Sequence, residues 1–160
     1  LYRAVKRLGA RRIVEIGVSD VKLTGELLRI SRWGARNEPV FYTAIDCFDV
    51  RREGLPPLPL KHAYRLLRGT GAKVRLVPGA PAPAVATAAN AHPNTDLLLI
   101  GAGYEDNELE RAWFYVPRML HKNSVILREC RDAQGQLHLV TLTPAQVAEK
   151  ARCYSHQRAA

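Results

Sequence analysis

Short runs of consecutive apolar residues alternate along this chain with stretches in which apolar residues recur every three or four positions. The runs at residues 12–16 (RIVEI), 40–45 (VFYTAI), 73–77, 96–100 (DLLLI), 124–127 and 137–142 predict strands. The helical periods carry Leu1, Val5 and Leu8, then Leu23, Leu27 and Ile30, then Leu60, Tyr64 and Leu67. An Ala-rich helix follows over 82–91, and Leu109, Ala112, Trp113, Val116 and Leu120 mark the next, with a kink expected near its end at Pro117. Ser19 and Asp20 are both cap candidates for the second helix, where Gly25 weakens the helix and suggests close packing. Thr143 with Pro144 opens a final helix, and the tail from about Ser155 reads as frayed.

Strands alternating with helices at these lengths build a mostly parallel sheet covered on both faces, a three-layer α/β/α sandwich. Residues 132–136 are short enough for a hairpin turn, so the last strand is expected to run antiparallel at an edge. Residues 51–60 (RREGLPPLPL) are the one clear loop. No repeat or linker divides the chain, and 160 residues suit a single domain.

Composition narrows the class of protein. Hydrophobic residues make up 47% and charged residues 24%, which excludes wholesale disorder. No apolar run approaches the ~20 residues of a membrane span. The chain begins with Leu rather than Met and shows no leader pattern, as expected of a trimmed or processed piece. The net charge of +9 is concentrated in residues 1–80, which hold 16 basic and 7 acidic side chains against 8 and 8 in residues 81–160. The longest basic run is a doublet and no aromatics interleave, so an Arg-rich soluble protein is favoured over a nucleic-acid binder. Cys47, Cys130 and Cys153 form no CxxC pair, which argues against a disulfide framework and for a reducing, cytoplasmic setting. Cys153 and His156 have a ligand-like spacing, but two ligands do not make a zinc site, and no metal is expected.

In sheets of this kind ligands bind at the carboxyl ends of the strands. The residues standing there are Glu15, Gly17 and Ser19 after the first strand, Asp46 after the second, Pro78 and Gly79 after the third, and Gly101, Gly103 and Tyr104 after the fourth. A Gly at a strand-to-helix turn lets backbone N–H groups approach a ligand, and an acid closing the second strand can accept two hydrogen bonds from a ribose diol. Together these residues describe a nucleoside-binding pocket.

VEIGVSD, followed about thirty residues later by AIDCF, resembles the first two motifs of class I S-adenosylmethionine-dependent methyltransferases. The stretch TDLLLIGAGYEDNELERAWFYVPRMLHKNSVILRE is similar to a small-molecule O-methyltransferase-like branch of that family, and the resemblance covers roughly residues 1–130. It implies a Rossmann-like sandwich and S-adenosylmethionine as cofactor. It assigns Glu15 to the methionine end of the cofactor, Gly17 and Ser19 to the first motif and Asp46 to the ribose. Phe48 would lie against adenine, Gly79 would line the adenine pocket, and Gly101 takes the place of the family's acid after the fourth strand. The departures are Ser19 and Val21 in place of further motif glycines, Ala80 in place of a polar adenine partner, and Asn123 and Ser124 in place of a Gly pair. Without the acid after the fourth strand, a metal-assisted mechanism is not expected.

The expected activity is transfer of a methyl group to an oxygen or nitrogen of an unknown acceptor, with Tyr104, Glu105 and Glu129 as the groups near the right edge. The alternative is a catalytically inactive methyltransferase-fold scaffold that binds a protein or anionic partner, with pocket closure by Val21 and Ala80 as its mark. Homo-oligomerisation stays open. Structural readings exist for each residue: Glu15 paired with an Arg, Gly17 and Gly79 as turns, Asp46 as a turn cap, Trp113 as core. The five histidines show no ligand spacing. DLLLIGAG imitates a dinucleotide fingerprint, but Asp106 stands in place of the third Gly and acids crowd the phosphate position. No G-x-S-x-G nucleophile elbow occurs.

Overall fold

The computed structural model describes residues 2–35, 38–91 and 93–157. The elements follow in the order α1 (Tyr2–Leu8), β1 (Arg12–Ile16), α2 (Val21–Gly34), β2 (Phe41–Asp46), α3 (Leu60–Arg68), β3 (Lys73–Pro78) and α4 (Pro81–Ala91). Then come β4 (Thr95–Ile100), α5 (Asp106–Trp113), α6 (Val116–Met119), β5 (Leu120–Arg131), β6 (Leu137–Leu142) and α7 (Pro144–Gln157). Leu1 and His92 lie outside the described residues, as do residues 158–160.

Among the described residues the strands form one sheet in the order β3-β2-β1-β4-β5-β6. The first five are parallel, and β6 pairs antiparallel with β5 at the edge, from Ile126↔Leu142 to Arg131↔Leu137. Order reverses between β1 and β4, which flank the switch point where such sheets take ligands.

The apolar runs alternate faces as pleating requires. Ile13, Tyr42, Leu97 and Leu99 join a core with Val5 of α1, Leu27 and Leu28 of α2, and Leu67 of α3. Val14, Ile45, Leu98 and Ile100 join the opposite core with Val85 of α4, Leu109 of α5, Met119 of α6 and Val147 of α7. Strands buried on both faces therefore read as unbroken apolar runs.

Four local expectations change. The helix expected from the acids at 105–110 through Leu120 breaks after Trp113 and resumes as one turn with Pro117 near its start, where the missing N–H costs nothing. Strand β5 begins at Leu120, because Thr95 pairs with Leu120 before a bulge restores the register at Leu97↔Val125. Gly25 has no crowded neighbour: a β-carbon there would meet Arg29 and Thr70 at 3.8 Å, an ordinary contact. The last helix extends to Gln157, past the Ser155 at which fraying is expected.

Candidate functional site

The carboxyl ends of the strands are tied to one another by backbone hydrogen bonds, one of them across the switch point. The Gly17 N–H donates to the Ile45 carbonyl at 2.8 Å, Gly101 N–H to Ile16 at 2.9 Å, and Gly79 N–H to Asp46 at 2.9 Å. Gly17 turns with φ +78°, a left-handed conformation that favours glycine. Gly101 is required by proximity: a β-carbon at that position would stand 2.1 Å from the Gly17 carbonyl oxygen and 2.7 Å from Ser19 Oγ.

The pocket on this edge has a volume of about 280 Å³ and is walled by Gly17, Ser19, Asp46, Arg51, Tyr104 and Glu129. Asp20 caps α2, its carboxylate accepting from the Lys22 N–H at 2.8 Å. Ser19 is thereby left to donate from its hydroxyl to Glu129, the carboxylate at the end of β5. Glu129 also accepts from the Ala102 N–H at 3.4 Å, so it bridges the loops after β1 and β4.

Asp46 is buried at the end of β2. Its Oδ2 accepts from the Val18 N–H at 2.8 Å and its Oδ1 from the Phe48 N–H at 2.9 Å. The Arg51 guanidinium takes the remaining positions, with Nε 2.8 Å from Oδ1 and Nη2 2.7 Å from Oδ2. A carboxylate has about four lone-pair directions, so this one is fully engaged. Asp46 therefore caps the turns after β1 and β2 and also lines the pocket.

Glu15 sits below the pocket, beneath α2. It is buried and accepts from Tyr42 Oη at 2.6 Å and from Thr24 Oγ1 at 3.1 Å. No Arg pairs with it among the described residues. Burial raises its pKa to about 7, against the lowering effect of the Tyr42 and Thr24 hydrogen bonds. Burial and the neighbouring Glu15 together push Tyr42 up as well, so its phenol stays protonated.

Four assigned residues stand apart from this pocket wall: Glu15 and Gly101 line a smaller cavity of about 50 Å³ that shares Asp20 and Glu129 with it, while Phe48 and Gly79 line neither. Phe48 adopts φ +47°, uncommon for a non-glycine, and its ring is buried in the core beneath α3 with Leu58 and Ala63. Gly79 turns with φ +137°, and a β-carbon there would meet nothing within 4 Å. Nor do Val21 and Ala80 close the pocket. Val21 packs against the core, Ala80 is exposed, and the bulk comes from Arg51 and Tyr104.

The Tyr104 ring lies against Gly17, and its hydroxyl donates to Cys47 Sγ at 3.6 Å. Burial, followed by that Cys47 contact, raises its pKa, so it meets the pocket as a neutral phenol. The sequence places Tyr104 at this edge but does not mark Arg51, whose available signal is an Arg five residues beyond the strand-closing acid. Glu105 belongs to the start of α5, where its N–H donates to Glu108 Oε2 at 2.9 Å. The acids there are held by cations: Glu108 by Arg52 at 3.1 Å and Asp106 by Arg128 at 2.6 Å.

Among the described residues no cluster of three or more His, Cys, Asp or Glu is placed to hold a metal ion, and no helix is long and apolar enough to cross a membrane.

No protein-family model and no curated protein matches the chain by sequence. Solved structures do match by shape. Cofactor-bound Rv0187 from MTB superposes with a TM-score of 0.55 and 18% identity, over 97% of this chain and 63% of that one. The O-methyltransferase TomG from Streptomyces achromogenes, solved in complex with SAM, gives 0.52 and 15%, over 98% and 64%. Precorrin-6y C5,15-methyltransferase from Geobacter metallireducens GS-15 gives 0.51 and 15%, over 96% and 70%. The chain spans less than two thirds of the first two. At these identities the likeness concerns the fold alone, a Rossmann-like α/β sandwich with one antiparallel edge strand, which this chain shares with these methyltransferase structures.

Proposed function

We propose that the protein binds S-adenosylmethionine at the carboxyl edge of β1, β2 and β4 and passes its methyl group to an oxygen or nitrogen of an acceptor. The observation that carries this reading is the meeting, in one pocket, of a positive-φ glycine turn after β1 and a buried carboxylate closing β2. That pair matches a nucleoside in kind: a glycine turn with no side chain of its own, flanked by the Tyr104 ring, and an acceptor for a diol. The structural neighbours support it, since one is described as cofactor-bound and another as a complex with SAM.

The residues fit the cofactor in chemistry. Asp46 would hold the ribose hydroxyls once its bonds to Arg51 are exchanged. The Gly17 turn would face the ligand backbone-first, and Ser19 with Glu129 would border its far end. When bound, the cofactor supplies an electrophilic methyl group on a sulfonium sulfur. The protein's share is alignment, with a base needed only for an acceptor that must lose a proton. Tyr104, as a neutral phenol, is a hydrogen-bond donor. Glu129 is the pocket carboxylate in position to take a proton.

Calorimetric titration with S-adenosylmethionine and S-adenosylhomocysteine tests this, with Asp46→Asn as the control. Micromolar binding by the wild-type chain, weakened at least tenfold in a folded variant, supports the reading. No heat and no thermal shift at millimolar ligand overturns it in favour of a non-catalytic scaffold.

A further inference from the structure

Arg51 occupies the seat that a nucleoside diol would need. Its guanidinium makes a forked pair with Asp46, donates through Nη2 to the Val18 carbonyl at 2.6 Å, and through Nη1 to the Pro56 carbonyl at 2.9 Å. The ion pair is almost wholly enclosed, with 7% of the Arg51 side chain and 4% of the Asp46 side chain exposed. Arg51 is thus bound at once to the β1 turn, to the end of β2 and to the loop that follows.

That loop is held across the pocket by a second arginine. Arg52 donates through Nη2 to the Gly103 carbonyl at 2.6 Å and through Nη1 to Glu108 at 3.1 Å. Leu55 and Pro56 complete the wall on this side, and Gly103 is close enough that a β-carbon there would meet Leu55 at 3.4 Å. The Arg52–Glu108 pair is half exposed, whereas the Arg51–Asp46 pair is enclosed. Exposed ion pairs hold weakly and buried forked ones hold tightly. The loop therefore has one strong anchor, and that anchor is made to the atoms a ribose would contact.

We propose that Arg51 is an internal occupant of the nucleoside site. Ligand hydroxyls replace its guanidinium on Asp46, and the loop of residues 51–56 swings outward as they do. This inference rests on the cofactor reading above. In the closed state the competing guanidinium lowers apparent affinity by the fraction of molecules that are open. The donor count at Asp46 is kept, since two charge-assisted N–H donors leave the carboxylate and two neutral O–H donors arrive; the Val18 carbonyl loses its guanidinium donor and the buried carboxylate its cation, which opening of the loop must offset.

The test is titration of wild-type, Arg51→Ala and Arg51→Lys chains with S-adenosylhomocysteine and with adenosine. The Arg51 side-chain Nε–H resonance of the wild-type protein is followed by NMR in parallel. Release of the plug predicts at least tenfold tighter binding of both ligands by Arg51→Ala and a smaller gain for Arg51→Lys. It also predicts that the Arg51 Nε–H loses its bonded shift and exchange protection as wild-type protein saturates. Should Arg51→Ala not fold, the wild-type resonance decides. Equal or weaker binding by the Ala variant, or a resonance unchanged at saturation, overturns the plug and leaves the cofactor reading intact. Absence of binding by folded wild-type and Ala chains alike overturns both.

Discussion

Tyr104 and Gly17 are packed so closely that a β-carbon on Gly17 would stand 2.8 Å from Cδ2 and 2.9 Å from Cε2 of the ring. The glycine is thus fixed twice, by its φ of +78° and by the ring over it. Gly17→Ala is expected to cost about 1–2 kcal/mol from the left-handed backbone alone, and more from displacing Tyr104. Tyr104→Ala removes the second cost but not the first. A double-mutant cycle by urea unfolding should therefore show the pair less destabilised than the sum, by about 1 kcal/mol. Strict additivity would mean that the ring moves aside freely.

The Asp46–Arg51 pair makes a similar prediction of larger size. Truncating one member leaves the other charge buried without its partner, at a cost of about 3–5 kcal/mol. Asp46→Ala should lose the most, because the Val18 and Phe48 N–H groups lose their acceptor too. Asp46→Ala/Arg51→Ala should recover part of that loss, since no lone charge remains. A double variant no more stable than Asp46→Ala would show that Arg51 escapes to solvent unaided.

The layers and strand ends of this protein are legible in its sequence, because each buried strand is a compact apolar run with a glycine or an acid at its exit. Gly17, Asp46 and Gly101 are found that way. What the sequence does not show is how the chain doubles back. Residues 48–50 form a short 3₁₀ turn entered by the positive φ of Phe48, and this turn drops the phenylalanine ring into the core while returning Arg51 to Asp46. An expectation that Phe48 faces adenine follows from sequence order; in the structure the side chain is buried in the core and does not line the pocket. The start of β5 is hidden for a related reason. Residues 120–123 (LHKN) have no strand pattern of their own and are drawn into the sheet by pairing with Thr95.

Glu15 gives the fold a pH dependence whose sign is fixed by its environment. Its carboxyl has a pKa of about 7 in the folded chain, raised chiefly by burial, against 4.5 when free. The folded state therefore binds the proton more tightly than the unfolded state between those values. Stability from this group is full below pH 4.5, falls as pH rises toward 7, and is flat above. The difference corresponds to about 3 kcal/mol. Glu15→Gln keeps an acceptor for the Tyr42 hydroxyl and cannot ionise. Its stability relative to wild type should thus rise by that amount from pH 4.5 to 8, measured by denaturant unfolding at each pH. A constant difference would place Glu15 in contact with water.

Two glycines that look alike in sequence should behave oppositely. Gly25 lies inside α2, and the nearest neighbours of a β-carbon there stand at 3.8 Å. Gly25→Ala gains helix propensity and loses unfolded-state entropy without a clash, so it should stabilise the protein by about 0.5–1 kcal/mol. Gly101 faces backbone at 2.1 Å, and the Gly17 carbonyl cannot retreat without releasing the β1 turn. Gly101→Ala should therefore destabilise by well over the roughly 1 kcal/mol typical of point substitutions, and loosen the pocket as it does so. Melting temperatures of the two variants, read beside nucleoside affinity, separate the effects. Gly25→Ala should raise the melting temperature and leave affinity alone, while Gly101→Ala should lower both. A Gly101→Ala protein as stable as wild type would mean that β1 and β4 part more easily at their carboxyl ends than their hydrogen bonds imply, and that the switch point itself can open.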